Sequence, residues 1–161
     1  MTSSTWTIRP ASAGDREALG RLGALLMRVH YGFDRRRFLP PGDHPEEGYA
    51  TFLTSQLDDP DVLVLVAEDG DRVLGYVYAG VEPMSWRELR DRAGFIHDLV
   101  VESPERRQGI ATALLEAAID WLRARGMPRV MLWTADANEA AQRLFARQGF
   151  RRTMLEMTRE L

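Results

Sequence analysis

The chain has 161 residues, 24 of them acidic and 21 basic, with a formal charge of −3 and no cysteine; every basic residue is arginine. Without Cys there is no disulfide framework, thiol nucleophile or Cys-ligated metal, and without Lys there is no Schiff-base amine or P-loop lysine. The acidic balance argues against a nucleic-acid partner, and a 45% hydrophobic content at this length is enough for one core-building domain spanning 1–161.

Thr5–Pro10 alternates as a short strand and stops at Pro10. From Asp15 to His30, apolar residues at Ala18, Leu19, Leu22, Leu25, Leu26 and Val29 follow the helical period. Arg35–Pro45 is too rich in Pro, Gly and charge for regular structure, and Glu46–Leu57 reads as a second helix. Val62–Ala67 is a continuous apolar run, as in a strand covered on both faces. The Glu68-Asp69-Gly70-Asp71 turn leads into a returning strand, Val73–Glu82. A polar excursion, Pro83–Gly94, separates it from a further strand, Phe95–Glu102. Gly109–Arg125 carries one apolar stripe and is stopped by Gly126 and Pro128. A strand at Arg129–Thr134, a helix capped by Asn138 and running to Gln148, and a last strand at Arg151–Thr158 complete the chain. The result is a mixed α/β fold with helices on both faces of its sheet. The first residues lack the regions of a signal peptide, and no apolar run approaches the ~20 residues of a membrane span. The expectation is a cytoplasmic protein with no membrane partner.

Glu105-Arg106-Arg107-Gln108-Gly109-Ile110-Ala111 lies between a strand and a long helix. A helix start presents unpaired N–H groups and the positive end of the macrodipole, so it attracts phosphate. Glycine permits close approach, and the paired arginines add charge. An ordinary charged strand-to-helix turn has the same composition, so the segment alone leaves both readings open.

Its context is more specific. Arg106–Ala111 resembles the coenzyme A pyrophosphate loop of the GNAT superfamily of acyl-CoA-dependent N-acetyltransferases. Asn138-Glu139-Ala140-Ala141-Gln142-Arg143-Leu144-Phe145 with Gly149-Phe150 resembles that family's second signature, Asn-x-x-Ala-x-x-Leu-Tyr…Gly-Phe, and the element order matches from Thr5 to Thr158. The resemblance implies a central, mostly antiparallel mixed sheet splayed between its fourth and fifth strands. It implies acetyl-CoA as co-substrate, held by the backbone of Leu99, Val100 and Val101, by Arg106, Arg107, Gln108, Gly109, Ile110, Ala111 and Thr112, and by Asn138, Ala141 and Phe145. The pantetheine arm would bond the freed strand edge, and the Leu99 or Val100 amide would stabilise the oxyanion. The amine attacks directly, so no protein nucleophile is required.

Phe145 departs from the family's pattern, which commonly has a Tyr there to protonate the departing thiolate. Either the thiolate leaves with help from water or another residue, or catalysis is weakened and the domain binds acyl-CoA without turnover. Alkylamines are mostly protonated at neutral pH, so a general base, or water held by polar groups, would help. His97 and Asp98 are the candidates; on a regular strand they point to opposite faces, and His97 is the first choice because imidazole titrates in the useful range.

Tyr76 and Tyr78 share a strand face and read as sheet packing or as acceptor-pocket walls. Tyr31, Glu82 and Trp86 are further acceptor-binding candidates, Trp133 reads as core, and Arg35-Arg36-Arg37 as a solvated cluster or a contact for the coenzyme's 3′-phosphate. His30 and His44 have no metal-ligand spacing with His97, so no metal is expected. The acceptor-forming segments are expected at Val29–Tyr49 and Glu82–Gly94, the substrate is read as a small-molecule primary amine, with protein N-termini as an alternative, and homodimerisation follows from family habit alone. A Rossmann-type nucleotide domain is excluded, because the helix-start glycine motif comes late and has the wrong spacing.

Overall fold

The computed structural model describes residues 5–102 and 109–161. Five strands form one sheet in the order β1-β2-β3-β4-β5: β1 (Thr7–Pro10), β2 (Val62–Asp69), β3 (Arg72–Glu82), β4 (Ala93–Val101) and β5 (Val130–Leu132). The first three junctions are antiparallel, while β4 and β5 run parallel and pair only at Gly94↔Val130, Phe95↔Met131 and Ile96↔Leu132. Past Ile96 the strands part, and β4 continues to Val101. This is the splayed mixed sheet that the resemblance implies.

Helix α3 (Ile110–Ala124) covers one face, its Ile110, Leu114, Leu115, Ala118 and Leu122 packing on Leu65, Leu74, Val77, Ala79 and Ile96. Helices α1 (Arg16–Phe33) and α2 (Pro45–Ser55) cover the other, where Leu19, Leu22 and Leu53 meet Val64, Val66, Tyr76 and Val100. Two faces of apolar cover explain why β2 and β3 read as near-continuous apolar runs.

α1 and α2 pack closely because α1 carries Gly23 at their contact. A Cβ there would lie 1.9 Å from the Tyr49 ring. The missing methyl makes room for Tyr49, and that tyrosine reaches the centre of the sheet.

α4 (Glu139–Arg147) is capped as expected, with the Asn138 side chain accepting from the Ala141 N–H at 3.2 Å, and Gly149 takes a left-handed φ of +87° just beyond it. The strand expected at Arg151–Thr158 is absent: residues 151–161 are exposed and carry no regular structure. Their alternation is strand-like, but β5, which a further strand would extend, is only three residues long. Pairing across strands, not pattern alone, makes a strand. No helix among the described residues is long and apolar enough to cross a membrane.

Candidate active site

A cavity of about 630 Å³ lies where β4 and β5 separate. Its walls come from α1, the α1–α2 loop, α2, β4, β5 and α4. His97, Asp98 and Leu99 all border it.

That last fact corrects the expectation that His97 and Asp98 face opposite ways. The β3–β4 register runs Tyr78↔Asp98 and then Ala79↔Ile96, so His97 is the extra residue of a β-bulge. A bulge breaks the two-residue alternation. His97 therefore lies over Tyr78, ring centroids 4.8 Å apart, on the sheet face where Asp98 also emerges.

Asp98 is held by two phenols. Tyr49 on α2 donates to its Oδ2 at 2.7 Å, and Tyr76 on β3 at 2.9 Å. Enclosure pushes the Asp98 carboxyl above its ordinary value, while the two hydroxyls pull the other way. Burial, with the nearby Asp98 charge, also raises both phenols, so they stay protonated as donors. His97 is held from its other side: its Nε2 lies 3.0 Å from Glu82 Oε1 and its ring stacks on Phe95 at 5.7 Å. Glu82 thus stands as a carboxylate at ion-pairing distance from the imidazole, a partner for the charge His97 gains when it takes a proton.

Backbone direction fixes the strand edge. The Glu102 N–H bonds the Leu74 carbonyl on β3 at 2.9 Å. In an antiparallel ladder the direction alternates by residue, so Val100 turns its main-chain groups toward β3 and Leu99 turns its own toward the gap left by β5. Val100 is accordingly corrected: its peptide faces β3 and its side chain is buried in the core, so its polar groups do not reach the opening. Gly109, at the start of α3, has φ +78° and open space where a side chain would begin, so its left-handed backbone, rather than crowding, is what requires glycine there. Ile110 is fully buried against the sheet, with Ala111 and Thr112 in the first turn of α3 beyond it. Arg106, Arg107 and Gln108 lie outside the described residues.

Asn138, Ala141 and Phe145 border the cavity from the α4 side, and the Phe145 ring meets Phe150 edge-on at 5.8 Å. The remaining acceptor candidates divide. Tyr76 is fully buried, so it touches the cavity's chemistry only through Asp98 and is corrected as a direct substrate contact. Tyr78 acts as a half-buried support beneath His97, and Glu82 as that histidine's partner. Tyr31 sits outside the lining, under the Arg35 guanidinium at 5.7 Å, and Trp86 stands 82% exposed on an excursion that contributes none of the lining. Both are corrected, since neither borders the cavity. Trp133, expected in the core, is 77% exposed and lines the cavity, because β5 ends just before it.

The segment expected to form the acceptor site at Val29–Tyr49 does line the cavity, with His30, His44 and Tyr49 among its residues, although sequence reasoning assigns none of these three an acceptor role singly; it missed Met27 and Phe52, which lie outside that segment. A signal existed for Tyr49: the Gly20…Gly23 pair on α1 announces a close neighbour. Arg37 pairs with Glu156, tying the exposed C-terminal segment to the α1–α2 loop. Among the described residues no group of three acidic or imidazole side chains could hold a metal.

A sheet opened between parallel strands, above a cavity floored by an imidazole and a carboxylate, suits two ligands meeting end to end, one along the strand edge and one in the cavity. The acetyltransferase (GNAT) family model matches residues 30–150, and the chain belongs to that family. It is 35% identical over 114 residues to a mycothiol acetyltransferase of Beutenbergia cavernae, an alignment covering 66% of this chain and 36% of that protein. The chain spans between 36% and 55% of the length of the curated relatives it matches first. Among solved structures, the tetramutant BH1408 protein of Bacillus halodurans superposes with a TM-score of 0.81 at 22% identity, covering 96% of this chain and 99% of that one. A predicted acetyltransferase of Clostridium acetobutylicum crystallised with acetyl-CoA superposes at 0.73 with 16% identity, covering 95% and 96%. Both show the same fold.

Proposed function

We propose that the chain transfers the acetyl group of acetyl-CoA to the primary amine of a small molecule. The observation that carries the reading is the joint opening of the Leu99 peptide and the His97–Asp98 bulge onto one cavity. Acetyl-CoA, the family's co-substrate, supplies the thioester. The residues present fit it: Leu99 offers backbone hydrogen bonds at an edge that β5 has left, and Ile96, Leu132, Ala141 and Phe145 offer an apolar channel.

His97 takes a proton from the acceptor ammonium, and Glu82, 3.0 Å from its Nε2, supports the imidazolium. The amine nitrogen then bonds to the acetyl carbon while the Leu99 N–H stabilises the developing oxyanion. The nitrogen gives up its second proton to solvent, the carbon–sulfur bond breaks, and the sulfur leaves as thiolate. Asp98 orients the bulge through its two phenols and adds negative charge beside the incoming ammonium.

Phe145 supports a second reading, because a phenylalanine has no proton for the leaving thiolate: binding of acyl-CoA without turnover. Thiol release from acetyl-CoA across amine classes separates the two. A chain with no cysteine adds no thiol background to that assay. Release above the amine-free rate is the expected result; tight coenzyme binding with no release from any amine would favour the second reading.

A further inference from the structure

The composition of the cavity narrows its occupant. On the acceptor side the walls include Leu26, Phe38, Leu39, Phe52 and Trp133, beside the imidazoles of His30 and His44. No arginine lines it among the described residues, and Asp98 is the only carboxylate that does. Asp98 Oδ2 already accepts two phenol hydroxyls. A polycation would need several carboxylates, and a phosphorylated amine would need a guanidinium; neither set is present in this lining. A polyhydroxylated amine would meet mostly carbon.

A second observation is independent of charge. Leu39, Phe52 and Trp133 are 72%, 44% and 77% exposed, and all three gather on this one cavity. Apolar side chains clustered in the open at a concave site are a binding surface. The rings also meet edge to face: His30 with Phe38 at 5.0 Å, Tyr49 with Phe52 at 5.9 Å, and Phe95 with Trp133 at 5.9 Å. His30 is fixed in this wall because its Nδ1–H donates to the Leu26 carbonyl at 2.9 Å. Such walls favour a flat, ring-sized guest.

We infer that the acceptor is a small primary monoamine with an apolar, ring-bearing body, its nitrogen beside His97 and Asp98 and its ring between Phe52, Phe38 and Trp133. This rests on the acetyl-transfer reading: the ammonium nitrogen gives up two protons, one to His97 and one to solvent, and gains the acetyl carbon, the carbon–sulfur bond breaks, and the thiolate takes a proton from solvent.

The test measures thiol release with 2-phenylethylamine, spermidine, an aminoglycoside, glucosamine 6-phosphate and a short peptide with a free N-terminus. The expected result is a kcat/KM for phenylethylamine at least about tenfold above each of the others. Leu39→Glu, on an exposed side chain that folding does not need, is expected to lower that preference by raising spermidine turnover and phenylethylamine KM. Higher kcat/KM for any polar amine or for the peptide overturns the inference while leaving acetyl transfer intact. No release with any amine overturns the transfer reading instead. Calorimetry of phenylethylamine on the coenzyme A-loaded protein then decides the cavity's preference alone: binding weakened by Leu39→Glu supports it, and no binding overturns it.

Discussion

Glu82 Oε1 and His97 Nε2 stand 3.0 Å apart across the β3–β4 junction, although His97 is the one residue of its stretch without a register partner on β3. The bulge frees the imidazole from the pleat, and the carboxylate stands beside its Nε2. His97→Ala is expected to lower kcat about 100-fold with little change in the KM for acetyl-CoA, and to remove the acid limb of the pH–rate profile. Glu82→Gln should lower kcat by about tenfold, because an amide holds the ring without stabilising its charge. An unchanged profile in His97→Ala would move the base elsewhere.

Asp98 gives a stability prediction with a definite sign. Its folded carboxyl titrates above the ordinary value because enclosure penalises the charge. A raised folded value means that the native state holds the proton more tightly, so this contribution to stability is full below the ordinary carboxylate range and is lost as pH rises through the raised one. Asp98→Asn removes that loss and still accepts from Tyr49 and Tyr76. Its thermal midpoint should fall less than the wild-type midpoint over that interval. Asp98→Ala should cost about 2–4 kcal/mol, since it strands two phenol hydroxyls. Equal slopes for wild type and Asp98→Asn in melts across that interval would contradict the assignment.

Much of the fold is legible in the sequence, for reasons these residues make concrete. The α3 stripe, the two-sided apolar strands and the Asn138 cap depend on local periodicity and hydrogen-bonding chemistry, which the chain states directly. The bulge at His97 does not: it is a relation between two strands, and the local pattern around it reads as regular β. Trp133 and the 151–158 segment depart from expectation for the same reason, since burial and strand pairing depend on what lies alongside. At the site, the residues on β4 and α4 can be found from motifs. Tyr49, Phe52 and His30 come from helices whose packing angle sets which side chains reach the sheet.

Gly23 tests that packing. An alanine methyl would stand 1.9 Å from the Tyr49 ring, so the ring must move and its hydroxyl must leave Asp98. Gly23→Ala is expected to destabilise by about 2 kcal/mol and to lower activity beyond what partial unfolding explains. Gly32→Ala, on the same helix with open space around it, should stabilise by about 0.5 kcal/mol. Chemical denaturation of the pair reads both signs. Two stabilising outcomes would mean that Tyr49 does not depend on the glycine.

Phe145 lies where the proposed coenzyme channel meets the core, lining the cavity while packing on the α3 side of the sheet and against Phe150. Its ring is therefore a wall, and its missing hydroxyl is a separate matter that two variants distinguish. Phe145→Ala removes the wall and is expected to raise the KM for acetyl-CoA about tenfold through lost apolar contact, with a smaller effect on kcat. Phe145→Tyr keeps the wall and adds a phenol proton for the thiolate. If departure of the thiolate limits turnover, kcat rises in Phe145→Tyr with KM unchanged; if proton removal at His97 limits it, kcat stays level. Steady-state kinetics on both variants, run beside His97→Ala, assign the slow step to one end of the reaction or the other. Unchanged acetyl-CoA KM and unchanged turnover in Phe145→Ala would remove this residue from the channel.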